Sequence, residues 1–262
     1  MLTTDRRTNL DRPAQMGADG PRQDLTVSAC DRWSQYAACR SAARNRWLYL
    51  HHRLVTDAFV DYVSGLPTDL RVLDAGCGNG FFMQVLRDLG FQRVRGIDLS
   101  EPWLQECRRK NLEVEKRAIE DLPRDTQYDL ILLMDVIEHL TSPLAGLKAL
   151  CGPLAEGGSL YINVPVCDSL QKRWQRRLRG MSRLDQSRRW DETHLHAWSA
   201  GEFDRLLRDA GLKPVRRNLL SNPWPVVARL SHRPAQVLQR VTLGGRFGDL
   251  YSVVATRASA LP

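Results

Sequence analysis

An α/β fold on a doubly wound, mainly parallel sheet is what this 262-residue sequence predicts, on three observations. Short apolar runs alternate with amphipathic stretches from residue 70 to 165, the rhythm of strands joined by crossover helices. Within that stretch "YDLILLMD" (128–135) is continuously apolar, as a strand covered on both faces must be. And "VLDAGCGNGFF" (72–82) sets three glycines on alternate positions just after a strand-like run, where an open parallel sheet carries its ligand loop.

Taken in order, residues 1–25 mix Asp, Arg, Pro, Gly and Gln without apolar periodicity and predict a disordered tail. Residues 26–66 predict a cap of two helices, because Trp33, Tyr36 and Ala37 and then Leu50, Leu54, Val55 and Ala58 recur at helical spacing. The main domain is expected over 67–262. Its first strand is "LRVLDAG"; the helix "FFMQVLRDLG" follows and stops at Gly90. "VRGIDLS" is the second strand, with Ser100 placed to cap the helix "EPWLQECRRKN". A weaker third strand lies in "LEVEKRAI", the fourth is the apolar run, and "SPLAGLKALCGPL" is a helix. "EGG" reads as a turn before a fifth strand, "SLYINVP". After an insertion at about 166–198 comes the helix "SAGEFDRLLRDAGL", with Ser199 and Glu202 spaced as a capping box. "KPVRRNLL" and "DLYSVVATR" complete seven strands, with a second insertion at about 222–246 between them.

No apolar run approaches the roughly 20 residues that cross a bilayer, and the N-terminus lacks an apolar signal segment, so the expected location is cytoplasmic. The six cysteines form no CxxC pair and are read as reduced and structural. The net charge of +8 is concentrated: residues 171–189 hold eight Lys and Arg against one Asp, leaving the remainder nearly neutral. In that segment Trp174, Leu178, Met181 and Leu184 make one apolar stripe, predicting a basic amphipathic helix interrupted weakly by Gly180. It suits an anionic membrane surface at the inner face, an acidic substrate, or a solvated cap over the acceptor. One short patch without aromatic interleaving argues against nucleic acid.

The glycine loop narrows the ligand. A dinucleotide site needs G-x-G-x-x-G, but position 81 is Phe, and Asp74 stands where it would repel a pyrophosphate and attract an ammonium. Asp98 ends the second strand 18 residues past Gly80, where a carboxylate accepts from both ribose hydroxyls. The following helix offers its N-terminal amides to an anionic group. The expected ligand therefore carries a ribose, a cation and an anionic end, with little phosphate.

"VLDAGCGNG", "GIDLS", "EDLP" before "YDLILLMDVIEHL", and "LAEGGSLYINVP" together resemble the class I S-adenosylmethionine (SAM)-dependent methyltransferases, over roughly residues 70–165 and more loosely to 212. The "EHL" block at 138–140 is most similar to the group of the ubiquinone-biosynthesis O-methyltransferases. The resemblance implies a seven-stranded, Rossmann-like methyltransferase fold and a SAM cofactor. It implies that Asp74 and the backbone of Ala75, Gly76, Cys77, Gly78 and Gly80 hold the methionine moiety and Asp98 the ribose. Leu99 would pack the adenine, Ile119 and Glu120 would lie at its edge, and Met134 and Asp135 would floor the site. Many relatives carry an Asp where Ala118 stands, which leaves the adenine amino group to backbone or Glu120.

Methyl transfer from a sulfonium needs an oriented lone pair, and a hydroxyl acceptor also needs a base. His139 is the first candidate base, followed by Glu138 and His194; the same groups with Asp135 would alternatively hold a divalent metal ion. The expected partner is a small-molecule acceptor, methylated at a hydroxyl oxygen. N- or C-methylation, RNA or protein acceptors, and a non-catalytic SAM-binding module stay open.

Overall fold

The structure, a computed structural model, describes residues 55–167, 169–189, 191–220 and 248–258. The tail expected over 1–25, the greater part of the cap expected over 26–66 and the insertion expected over 222–246 lie outside the described residues.

Residues 55–63 are helical (α1) and precede the sheet. The chain then alternates through β1 (Arg71–Ala75), α2 (Phe81–Asp88), β2 (Arg93–Asp98), α3 (Glu101–Arg109), β3 (Glu113–Lys116), β4 (Tyr128–Met134), α4 (Pro143–Cys151) and β5 (Leu154–Pro165). Two short helices, α5 (Leu170–Arg179) and α6 (Arg183–Arg188), fill the first insertion, and α7 (Ala200–Asp209), β6 (Leu212–Leu220) and β7 (Leu250–Arg257) follow. The seven strands lie in the order β3-β2-β1-β4-β5-β7-β6. Every pairing from β3 to β5 is parallel, and β7 runs antiparallel between β5 and β6. The sheet is thus doubly wound and mainly parallel, and the strand order reverses between β1 and β4.

Alternation within the strands sorts the core into two layers. Leu73, Ala75, Ile131 and Leu133 pack with Leu147, Leu150, Phe203 and Leu207 of α4 and α7. Val72, Leu130, Leu132 and Met134 face the other way, against Phe59, Val63, Met83, Leu86 and Leu104 of α1, α2 and α3. The apolar run of β4 is continuous because both of its faces are covered.

Three local expectations are corrected. Ser100 stands before α3 but makes no side-chain cap; Asp98 Oδ1 takes the Ser100 amide at 2.8 Å instead. The "EGG" turn lies inside β5, which begins at Leu154 and carries the irregularity as a register shift opposite Tyr128 and Leu130. The basic segment is two helices, since Gly180 adopts the left-handed conformation that ends α5. The capping box on α7 forms as read: Ser199 Oγ accepts the Glu202 amide at 3.1 Å and Glu202 Oε2 accepts the Ser199 amide at 2.8 Å. Cys77, Cys107, Cys151 and Cys167 are free thiols.

Candidate active site

The loop between β1 and α2 lies at the point of strand reversal. Gly76, Gly78 and Gly80 all have positive φ, at 84°, 49° and 77°. At Gly76 a side chain is excluded twice, because an added Cβ would stand 2.4 Å from Val136 Cγ2 in a conformation unfavourable to L residues. The loop is pinned to β2: the Gly76 and Cys77 amides donate to the Ile97 carbonyl at 2.8 and 2.9 Å, and the Gly78 amide to Asp98 Oδ2 at 2.8 Å. Both Asp98 oxygens therefore organise backbone, and each retains a lone pair for a further donor.

A cavity of about 810 Å³ opens here. Asp74, Gly76, Cys77, Gly78, Asp98, Met134, Asp135 and His139, all expected at the site, line it. Asn79 lines it too, within the expected loop, and Phe81, Phe82, Gln84, Trp103, Glu106, Lys110 and Val136 line it without having been anticipated. Phe81 and Phe82 read as helix apolar positions, and the signal available was their place in the first turn after a ligand loop. Phe59 of α1 stands edge-on to Phe82 at 5.2 Å and so backs this wall.

Asp74 is 1% exposed, and neither of its carboxylate oxygens has a partner among the described residues. Burial, with the Asp98 charge adding to it, pushes its carboxyl up to about 7. A cation brought to this position would gain two acceptor oxygens and restore the ionised form, so the residues fit the ammonium of an amino-acid-bearing nucleoside. Asp135 is held at φ 52°, a strained conformation for a residue with a side chain, and its Oδ1 accepts Asn163 Nδ2 at 2.7 Å. Burial raises Asp135 to about 6, against the lowering effect of Asn163. Asn163 is anchored in turn by Ser252 Oγ at 2.8 Å. This support was missed, although a lone Asn in the apolar "LYINVP" was a visible sign.

Beyond β4, residues Ile137–His139 form one turn of 3₁₀ helix that points Glu138 inward and leaves the His139 ring on the cavity wall. Glu138 is 1% exposed, and its Oε1 lies 4.0 Å from His194 Nε2. Burial, then the Asp135 charge, raises the Glu138 carboxyl well above its ordinary value. His194 is buried with Nδ1 2.6 Å from Ser187 Oγ, and burial lowers its pKa. The His139 and His194 rings meet edge to face at 4.9 Å. Glu138, His139 and His194 each offer a ligand atom within 4.8 Å of the others, whereas Asp135 is not in that group. Burial shifts Glu138 towards its protonated form, and a divalent ion at this group would favour the ionised form again, as a cation would at Asp74.

Other expected positions fall outside the cavity lining. Ala75 is buried in the core beneath the loop, and Gly80 packs against α3 and its exit, where an added Cβ would meet Leu112 at 2.3 Å. Leu99 is 65% exposed just past β2. Ile119 puts its side chain into the core and Glu120 is exposed, and neither lines the cavity. No described residue of 166–198 lines the cavity.

The doubly wound sheet, the glycine loop at its reversal point and the two carboxylates at the ends of β1 and β2 define the class: a SAM-dependent methyltransferase. A family model described as "Methyltransferase domain" matches residues 44–217, and the chain belongs to that family. It is 32% identical over 166 residues to the ubiquinone biosynthesis O-methyltransferase of Ruegeria pomeroyi, covering 59% of this chain and 64% of that protein. The protein of the same name from Dinoroseobacter shibae is 31% identical over 183 residues, covering 64% and 70%. The chain thus spans about two thirds of the length of these relatives. Among solved structures, the magnesium protoporphyrin IX methyltransferase of Synechocystis PCC 6803 with bound SAH shares the fold, with a TM-score of 0.60 at 18% identity over 90% of this chain and 97% of that one.

Proposed function

We propose that this protein transfers the methyl group of SAM to a hydroxyl oxygen of a small-molecule acceptor. The observation that carries the reading is Asp74, a buried carboxylate without a partner among the described residues, set at the wall of a cavity that also holds a histidine. SAM supplies a methyl group already activated on a sulfonium centre. Asp74 would accept from its ammonium, Asp98 from its ribose, and the bare main chain at Gly76 and Gly78 would let the ligand lie close. His139, on the same cavity, takes the proton of the attacking hydroxyl. The names of the curated relatives support oxygen as the atom methylated. Of the cap expected over 26–66, the described helix α1 is read as backing the cavity, consistent with the contact of Phe59 with Phe82. Calorimetry with SAM, SAH and NAD tests the donor, and a mass-shift screen of phenols, catechols and amines tests the acceptor. Binding of SAH and a methylated phenol or catechol are expected; tight NAD binding, or methylation of amines alone, would overturn the reading.

We infer further that α5 rests on an anionic bilayer. The helix docks by its polar side: Lys172 Nζ donates to the Val166 carbonyl at 2.9 Å and lies 3.6 Å from Asp249, and Arg176 donates to Gln186 Oε1 at 2.9 Å and to the Cys167 carbonyl. Its apolar stripe of Leu170, Trp174 and Leu178 is left 47%, 69% and 68% exposed, flanked by exposed Arg173, Arg177 and Arg179. An exposed Trp and Leu stripe among arginines complements anionic headgroups over an apolar boundary. Flotation with phosphatidylglycerol vesicles should show salt-sensitive binding that Trp174→Ser with Leu178→Ser abolishes. Equal recovery with phosphatidylcholine, or none with either, would remove this surface role.

A further inference from the structure

The hydrogen bonds around His139 decide which of its nitrogens is basic. Nδ1 lies 3.0 Å from Thr193 Oγ1 and 3.4 Å from the Thr193 carbonyl oxygen. The Thr193 hydroxyl stands 2.5 Å from Asp191 Oδ1, and the same carboxylate oxygen accepts the Thr193 amide at 2.9 Å. An ionised carboxylate only accepts, so the hydroxyl proton goes to Asp191 and Oγ1 presents a lone pair to the ring. The Thr193 carbonyl likewise only accepts. Both neighbours of Nδ1 therefore call for a proton on that nitrogen, and a neutral imidazole has one proton to place, so Nε2 keeps the lone pair. Asp191 Oδ1 takes both the Thr193 hydroxyl and the Thr193 amide, so the direction of the chain is set by geometry.

We propose that Asp191 and Thr193 are positioning residues that keep the His139 proton on Nδ1 and thereby reserve Nε2 as the base for the acceptor hydroxyl. The inference rests on the reading of His139 as that base, and adds the groups that set its tautomer. The turn has a reason to be rigid: Asp191 binds the Thr193 amide through its side chain and the His194 amide through its carbonyl, at 3.2 Å. Immediately after it, the Leu195 and His196 amides both donate to the Glu138 carbonyl, at 2.9 and 3.2 Å, which ties the turn to the 3₁₀ segment that bears His139. His194 does not serve equally, since its ring is buried, bonded to Ser187 and absent from the cavity wall.

Long-range proton–nitrogen NMR of imidazole-labelled protein at about pH 8.5, where an ordinary imidazole is neutral, reads the tautomer without any acceptor. His139→Gln assigns the signal. The wild type and Thr193→Ser should carry the proton on Nδ1, while Thr193→Val, which keeps only the longer contact to the backbone carbonyl, should shift part of the way towards the mixture of a free imidazole with SAH binding retained. A proton on Nε2 in the wild type, or a Thr193→Val spectrum unchanged from it, would overturn the proposal. With whichever phenol or catechol accepts methyl, Thr193→Val should lower kcat about 10-fold or more at unchanged KM, the scale of lost outer hydrogen-bond partners, and Thr193→Ser should restore it. Full turnover in His139→Gln would instead remove the base reading itself, leaving the tautomer to be judged by the spectra.

Discussion

Replacing Asp74 by Asn should make the ligand-free protein more stable at alkaline pH while making it a poorer binder of SAH. The carboxyl is buried without a partner among the described residues and is raised from 3.8 to about 7. A carboxylate raised on folding adds stability in its protonated form, fully present below the unfolded value and lost as pH climbs from there to the folded value. At about 1.4 kcal/mol per pH unit the loss is complete above about pH 7 and amounts to about 4 kcal/mol. Asn removes this term but buries an amide of its own, which costs about 1–3 kcal/mol if unmatched. The variant should therefore gain about 1–3 kcal/mol in denaturant unfolding at about pH 8. By about pH 5 the term in the wild type has shrunk to about 1.5 kcal/mol, and the gain should vanish or reverse. Binding moves the other way. Loss of a charged hydrogen bond to the ligand ammonium should weaken SAH by about 1.5–3 kcal/mol in calorimetry, and wild-type affinity should fall as pH drops through about 7 while the variant stays flat. An Asn variant no more stable than wild type at pH 8, with SAH affinity intact, would refute the assignment of Asp74 to the cation.

Gly76→Ala should destabilise by about 1–2 kcal/mol from the left-handed conformation alone, with a further loss from the 2.4 Å approach to Val136. Adding Val136→Ala should recover the second share and not the first, read as a positive coupling in a double-mutant cycle of unfolding free energies. Asp98→Ala, which frees the Gly78 and Ser100 amides and removes the expected ribose acceptor, should weaken SAH by about 1–3 kcal/mol. Unchanged affinity there would move the ribose elsewhere. Glu202 is lowered to about 2, first by Arg183 and then by the Ser199 amide, so its contribution is present above the ordinary carboxylate range and is lost as pH falls towards 2. Glu202→Gln should accordingly lower thermal stability at neutral pH and lose its effect in acid.

What was legible follows the range of the interactions concerned. The strands β1, β2, β4 and β5 were readable because burial on one or two faces imposes its own period on neighbouring residues, while β3, with no buried residue, gave the weaker signal; Asp74 and Asp98 were readable because they lie at strand ends beside a glycine loop. The fate of Ser100 was not readable: its amide is claimed by Asp98, whose carboxylate must bend back to serve the Gly78 loop as well. Periodicity also revealed the apolar stripe of residues 171–189 but not which side of it would be buried. That was decided by backbone carbonyls of Val166 and Cys167, which take Lys172 and Arg176 and turn Trp174 and Leu178 outward.

The same distinction divides the site in two. The half proposed for the donor, from Asp74 to Asp98, is assembled by one strand-loop-helix-strand unit, so a short stretch of sequence holds the proposed cation acceptor, the close-approach glycines and the second carboxylate together. The acceptor half depends on a meeting across 54 residues, where Thr193 reaches His139 and Asp191 stands behind it. In "DETHLHAW" the histidines draw attention as chemistry-bearing groups, yet the turn's Asp and Thr act on a histidine from another element. The proposed base is thus separable from the groups proposed to orient it. Substitutions in the insertion can alter the protonation of His139 without touching the donor loop, and this gives the fold a route to vary its acceptor chemistry while keeping one methyl donor.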